Sequence, residues 1–414
     1  MGILLLALDL HSHSGYSGGV GKISLKKIKE SMDKKGIDVF GTGDCLHPFW
    51  LNKLMSNLIE VKEGIFALSP KDNKYFILQT EIVLTAPITK NRRKSVHTVL
   101  LFPSFSTAEK VINLFRNYGV KNTIGRPFVT FQSTEEVSDF LFTLKAIDPL
   151  ITIFPAHIMT PDGIFGSNNP ITYLEDFFGE YTENIKLLET GLSADPEMLE
   201  KIPQCRERNY ISNSDCHSHA IHRIGREFTL VEVDEISYPA IVKALEGNGI
   251  VSTYEFNPRE GKFYASGHRK GKYNHPQHFY TEDSENLICP HCKKPYTKGV
   301  KHRIEELSKA QKLNIPIKKE RKFKRIIPLV EVIAHGLNVK TLTSKRVISI
   351  YEKIVEIAGS EVALWLKSID FIEKELSPFL DDKLLKTIIS VHKGEFTFDP
   401  PGFDGEYGKL KIFV

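Results

Sequence analysis

Short apolar runs that stop on a histidine or a carboxylate recur along the first half of the chain. Residues 3–8 are wholly apolar and run into Asp9, after which His11 and His13 are separated by a single serine. Side chains in an extended strand repeat every second residue. The pattern therefore predicts a buried strand whose C-terminal end carries two imidazoles on one face. The same layout returns at Val39-Phe-Gly-Thr-Gly-Asp44, with His47 three residues on, and at Tyr75-Phe-Ile-Leu-Gln-Thr-Glu81. His97 opens the apolar run 98–102. Ile151-Thr-Ile-Phe-Pro-Ala-His157, Ile185-Lys-Leu-Leu-Glu189 and Tyr210-Ile-Ser-Asn-Ser-Asp215 follow, the last continuing into Cys216 and His217.

Between these runs, residues 25–35, 107–117 and 135–145 have the amphipathic spacing of helices. Alternating strands and helices predict an α/β fold with a largely parallel sheet. When such a sheet closes into a barrel, the C-terminal ends of its strands meet on one face. Singly, each polar residue has an ordinary reading as a helix cap or a core histidine. Seven or eight of them at strand ends point instead to a multinuclear metal centre, because imidazole and carboxylate together suit borderline and hard divalent ions.

A chain of 414 residues is too long for one core, so two or three domains are expected. A net charge of +4 is too small to require a polyanionic partner. Five cysteines, an odd number with one Cys-x-x-Cys pair, do not make a disulfide scaffold, and a reducing compartment is expected. The first apolar run ends at Asp9, too short for a membrane span and unlike a signal peptide, so the expected location is cytoplasmic, without membrane association.

From Glu255 the composition changes. His268, His275 and His278 precede Cys289-Pro-His-Cys292, a pattern that predicts a structural tetrahedral zinc site. No thioredoxin-like pattern surrounds the pair, which argues against redox work. Lys293, Lys294, Lys298, Lys301, His302 and Arg303 follow, and then the basic stretch 317–325. Such a run is usually a solvated face; beside a nuclease-like site it is expected to track phosphates, with Lys298, Lys301 and Arg303 as contacts. Residues 328–335, 344–358, 361–366 and 382–392 read as helices, and 410–413 as a short strand. The expected division is 1–254, 255–316 and 317–414.

Asp9-Leu-His-Ser-His13, Gly41-Thr-Gly-Asp44, Gln79-Thr-Glu81, His97, Pro155-Ala-His157, Glu189-Thr-Gly191 and Ser212-Asn-Ser-Asp215-Cys-His217 resemble the PHP (polymerase and histidinol phosphatase) superfamily. That resemblance implies a distorted (β/α) barrel with a two- or three-metal phosphoesterase site. Gly43-Asp-Cys-Leu-His-Pro48, Glu189-Thr-Gly-Leu-Ser-Ala-Asp195 and Thr297-Lys-Gly-Val-Lys-His-Arg303 narrow it to the endonuclease Q family. The similarity reaches the C-terminal Pro401-Gly-Phe-Asp-Gly-Glu-Tyr-Gly408. It implies a DNA endonuclease that nicks 5′ of deaminated bases (uracil, hypoxanthine, xanthine) and of abasic sites. His11, His13, Asp44, Glu81, His97, His157, Asp215 and His217 would then be metal ligands, for Zn, Mn or Mg, with His47 and Glu189 as further candidates. Asp215, His217 and His157 would be the catalytic residues. A sliding clamp is a partner of relatives.

The loop 158–170 follows His157 and is expected beside the metals, with Phe165 stacking on a flipped nucleotide, or packing into the barrel, and Ser167 bonding a base edge. The family's loop is longer and more aromatic, and Met159 and Asp162 depart from it, which leaves lesion preference open. Arg223 and Arg226 are candidates for phosphate contacts. The family also places a cysteine where Gly271 stands, so His275 or His278 is expected to complete the zinc site. The competing function is a small-molecule phosphoesterase such as a histidinol-phosphate phosphatase. It has no use for the cysteine module, the basic linker or the helical tail.

Overall fold

The computed structural model describes residues 2–18, 20–120, 125–283, 285–317 and 320–414. The leading apolar run is strand β1 (Leu4–Asp9). It is followed by β2 (Val39–Gly41), β3 (Ile59–Lys62), β4 (Ile65–Ala67), β5 (Tyr75–Thr89), β6 (Arg92–Phe102), β7 (Phe128–Thr130), β8 (Thr152–Pro155), β9 (Leu187–Glu189), β10 (Asn209–Ile211), β11 (Phe228–Val233) and β12 (Ile250–Glu255). β1 lies parallel to β2 and antiparallel to β11. β2 runs parallel to β5, β5 antiparallel to β6, and β6 antiparallel to β8. β9 and β10 form a separate parallel pair.

The sheet is therefore mixed rather than largely parallel. Apolar patterning is blind to strand direction, which connection length decides. Only Lys90 and Asn91 separate β5 from β6, too few for a parallel crossover.

Alternation along each strand splits the core in two. Leu8, Val39, Ile77, Val99, Phe154, Leu187, Ile211 and Val231, one from each of β1, β2, β5, β6, β8, β9, β10 and β11, share one apolar cluster. Ala7, Phe40, Phe76 and Leu100 point the other way, toward the helices. These eight strands thus surround common contents, yet they do not form a closed barrel. Among the described residues no strand ladder joins β8 to β9 or β10 to β11. The first seam carries the Ile158 N–H to Glu189 O bond (3.1 Å), and the second the bonds between Thr229 Oγ1 and the Ser212 backbone (2.9 and 3.1 Å).

The predicted helices appear as Leu25–Lys35, Phe105–Asn117 and Thr134–Ile147, each with a serine N-cap: Ser24, Ser104 and Ser133 accept from the N–H three residues on. Past β12, β13 (Ser266–His268) pairs with β14 (Phe279–Thr281), and helix Val300–Ala310 follows. β15 (Phe323–Arg325) then adds to the main sheet, parallel to β12. Five helices, Leu329–Gly336, Lys345–Ala358, Glu361–Leu366, Ile369–Leu376 and Asp382–Lys393, end in a hairpin of β16 (Phe396–Phe398) and β17 (Leu410–Ile412). Ile369–Leu376 is the one of the five that is not among the predicted helices. No described helix is long and apolar enough to cross a membrane.

Candidate metal centre

The strand ends bring the predicted residues together around Glu81. Its Oε1 lies 2.7 Å from His97 Nδ1, 3.2 Å from His157 Nε2 and 3.8 Å from His11 Nε2. Its Oε2 lies 3.4 Å from His13 Nε2 and accepts from Arg126 Nη1 at 3.2 Å. Asp215 Oδ1 stands 3.2 Å from His13 Nε2, 3.7 Å from His11 Nε2 and 3.9 Å from His217 Nδ1.

Three donor groups result: His11–His13–Glu81, His13–Asp215–His217 and Glu81–His97–His157, the ligand atoms of each within 4.8 Å of one another. Shared His13 and Glu81 fuse them into one cluster. Ligands held about 2.1 Å from a tetrahedral ion stand ~3.4 Å apart, a spacing that the separations from 2.7 to 3.9 Å bracket. His11 Nε2, His13 Nε2 and Asp215 Oδ1 are buried without a hydrogen-bond partner. Buried polar atoms are nearly always satisfied, so lone pairs converging on one space fit divalent cations.

Electrostatics match the geometry. Burial alone would depress the imidazoles, but the carboxylates of Glu189, Asp215 and Glu81 outweigh it and raise His11 to about 9. Asp215, Asp44 and Glu81 lift His13 well above its usual value against the same burial, and Glu81 raises His157 against it. Burial would raise the Glu81 and Asp215 carboxyls; the surrounding imidazoles instead hold both well below the usual range. Cations binding to these nitrogens exchange for protons.

Asp44, His157 and Asp215 have φ of 44°, 27° and 45°. Non-glycine residues rarely adopt this region, at a cost of order ~1–3 kcal/mol each, and such strain gathers at functional sites. Gly191, at φ 61°, allows the close approach: a Cβ there would sit 2.4 Å from that of His157.

Two of the expected ligands stand behind the cluster. Both Glu189 oxygens lie 3.0 Å from His11 Nδ1, and they also accept from the His157 N–H (2.7 Å) and Asn213 Nδ2 (2.8 Å). Asp44 Oδ1 lies 3.2 Å from His13 Nδ1, while Oδ2 accepts from Ser14 N and Oγ, both at 2.6 Å. Each carboxylate fixes a ring so that Nε2 faces forward. His47 joins none of the groups; its ring stacks on Tyr16 at 4.5 Å.

Sequence reasoning gave no role to Arg126, Asp9 or Gln79. Asp9 accepts from Ser214 N and Gly225 N, both at 2.9 Å, and Gln79 Oε1 from Ser12 N and Gly43 N. Burial raises the Asp9 carboxyl to about 6. The place of Asp9 and Gln79 inside the Asp-Leu-His-Ser-His and Gln-Thr-Glu motifs is the available signal, and Arg126 lies in neither.

A second donor group is separate. His268, His275, Cys289 and Cys292 bring their ligand atoms within 4.8 Å, with Cys289 Sγ 3.5 Å from His275 Nε2 and Cys292 Sγ 3.6 Å from His268 Nδ1. His278 stays outside, its Nδ1 accepting from Lys270 N at 3.1 Å. Gly271, at φ 85°, makes the turn that brings His275 in, donating its N–H to His275 O.

The expected DNA contacts are placed differently from one another. Phe165 is wholly buried in the core and offers no face for stacking. Ser167 is half-buried beside Arg93, Ser95, Asp162 and Asn169. Arg223 is exposed, whereas Arg226 is buried and donates to Ser214 O. Lys298 pairs with Glu306, and Lys301 donates to Glu282 O at 2.8 Å. Arg303 is buried, donating to the carbonyls of Phe165 and Ile171. The basic run hides a helical stripe, Val300, Arg303, Ile304 and Leu307, whose buried face includes that arginine.

No protein-family model matches the chain. The lesion-specific endonuclease of Pyrococcus furiosus superimposes with a TM-score of 0.82 at 30% identity, over 99% of this chain and 96% of its own. An endonuclease Q in complex with a 27-mer duplex, with an abasic lesion at its active site, does so at 0.81 and 30%, over 99% and 97%. An uncharacterized protein of Methanocaldococcus jannaschii is 34% identical over 240 residues; the match takes 56% of this chain and spans 29% of that protein's length.

The mixed α/β fold and its buried His–carboxylate cluster define a metal-dependent hydrolase. Its likeness to the two solved structures holds over nearly the entire length. The chain belongs to the endonuclease Q family.

Proposed function

We propose that this chain is a metal-dependent DNA endonuclease that hydrolyses the phosphodiester 5′ of deaminated bases (uracil, hypoxanthine or xanthine) or of abasic sites. The carrying observation is the fused donor cluster with its three unsatisfied buried ligand atoms. The full-length likeness to an endonuclease Q bound to an abasic duplex supports damaged DNA as the substrate.

In this reading His11, His13, Glu81, His97, His157, Asp215 and His217 hold two or three divalent ions, Zn, Mn or Mg. Such ions lower the pKa of a bound water and offset charge on the attacked phosphate. Asp44 and Glu189 orient His13 and His11. Asp215, half-buried like His97, also handles a proton. Residues 1–254 form the catalytic unit, 255–316 a module with one structural zinc on His268, His275, Cys289 and Cys292, and 317–414 a helical unit against DNA. Arg223 and Lys301 remain as phosphate contacts and Ser167 as a base contact.

The deciding experiment offers duplexes with one uracil, hypoxanthine, xanthine or abasic site, with Mn or Mg and with chelator, beside a small phosphomonoester. A metal-dependent nick 5′ of the lesion is expected. Intact lesion duplexes with hydrolysis of the phosphomonoester would establish the phosphatase alternative.

Two variants follow. Asp215→Asn is expected to lose nicking by roughly 10³-fold while lesion-duplex affinity, by gel shift, stays within a few-fold; retained cleavage removes Asp215 from the mechanism. Cys289→Ser with Cys292→Ser is expected to lower bound zinc by one ion per chain, and an unchanged content would rule that site out.

A further inference from the structure

The loop 158–171, which begins immediately after His157, is held from outside by side-chain cations on its carbonyls. Arg303 Nε donates to Phe165 O at 3.0 Å and its Nη2 to Ile171 O. Lys94 Nζ, from β6, donates to Asn168 O at 3.0 Å. A neutral donor, Gln311 Nε2, just past the helix that carries Arg303, bonds Thr172 O immediately after the loop at 2.7 Å. Inside the loop, Thr160 Oγ1 lies 2.7 Å from His157 Nδ1 and fixes the ring whose Nε2 faces Glu81. The loop's position and the imidazole's orientation are therefore one problem.

The other end of Arg303's helix is welded to the cysteine–histidine module. Gly299 N donates to Ser266 Oγ at 2.8 Å, and that hydroxyl lies 2.5 Å from His302 Nδ1. Ser266 is two residues from His268 on β13. Val300 N donates to Phe263 O. A continuous path thus runs from the four-donor group through β13 and the helix to the loop.

We infer that Arg303 is a positioning residue for the proposed nicking reaction: it couples the cysteine–histidine module to the His157 loop rather than binding DNA. The inference rests on the proposed function for its kinetic readout alone. The guanidinium forks to two carbonyls six residues apart in sequence; an ammonium, a single point charge, cannot hold both in the same geometry. Arg303→Lys therefore keeps the charge and loses the clamp, which separates positioning from phosphate binding.

The test compares wild type, Arg303→Lys and Arg303→Met as full-length, metal-loaded protein on an abasic duplex. Amide hydrogen exchange reads the loop through Thr160, Gly163, Phe165 and Asn168, whose N–H groups bond within it. Faster exchange confined to 158–171 is expected in both variants, with kcat down ~10-fold or more, duplex affinity within about twofold, and the salt dependence of affinity unchanged. Lysine is not expected to rescue. Wild-type exchange with a salt slope lowered by about one in Arg303→Met and restored in Arg303→Lys makes Arg303 a phosphate ligand and overturns the inference. Unchanged exchange and unchanged kcat overturn it as well. If Arg303→Met does not fold, Arg303→Lys alone decides. Should wild type fail to nick lesion DNA, the proposed function falls, and the exchange comparison still judges the clamp.

Discussion

Glu81→Gln is expected to lower nicking by roughly 10³-fold and to remove at least one bound ion per chain. Glu81 faces four imidazoles and Arg126, and it belongs to two of the three donor groups. Glutamine keeps the shape but removes the charge that balances bound cations, and its amide offers one carbonyl oxygen and an N–H where the carboxylate offers lone pairs on both oxygens. The fold should persist, because β5 is paired with both β2 and β6. Nicking rate and metal content measured on one preparation check this. A variant that cuts at the wild-type rate with its full complement of ions would remove Glu81 from the centre.

The second large effect concerns stability. Glu361→Ala is expected to destabilise the fold by about 3–5 kcal/mol. Lys35 Nζ and Glu361 Oε1 are 2.6 Å apart, each side chain 1% exposed. The same carboxylate accepts from Leu329 N at 2.9 Å and Tyr351 OH at 3.0 Å. Truncation strands a buried ammonium and two further donors with no partner. Lys35 ends helix Leu25–Lys35, and Gly36 packs where a Cβ would be 2.3 Å from Ser360 Oγ, the N-cap of Glu361–Leu366. The pair thus ties the catalytic sheet's first helix to the C-terminal helices. Denaturant unfolding reads the loss, and Lys35→Met with Glu361→Leu should recover the part due to the stranded ammonium, since a matched apolar pair leaves no buried charge, while Leu329 N and Tyr351 OH stay unpartnered. A single variant within ~1 kcal/mol of wild type would contradict this reading.

Much of the centre was legible because its residues lie at the ends of apolar runs. Strand periodicity marks His11 and His157 as metal-capable side chains at or just past strand ends, whereas the role of Asp215 and His217, beyond the end of β10, is what the family resemblance implies. The rest depends on register and chain path. That Glu81 is the hub follows from its place on β5 opposite Val99, with His97 opposite Val83, a pairing set by the two-residue β5–β6 turn. That Asp44 and Glu189 stand behind histidines depends on which ring nitrogen each meets, which composition does not encode. Of the two readings of Phe165 the structure holds the inward packing, and Arg303 departs from the expected phosphate contact because the basic run carries a buried helical stripe that a count of charges does not reveal. The Lys35–Glu361 pair spans 326 positions and carries no local signal.

The central claim is that the gathered imidazoles and carboxylates hold cations that drive cleavage of a nucleic acid backbone. Its most direct test strips the protein with chelator, restores Mn or Zn stepwise, and follows bound metal and nicking of an abasic duplex in the same sample. Nicking that is absent at first and rises as two or three ions per chain fill, beyond any held by Cys289 and Cys292, is the predicted result. A stripped chain that cuts the abasic duplex at full rate, or one that takes up no ions at the cluster, would contradict it.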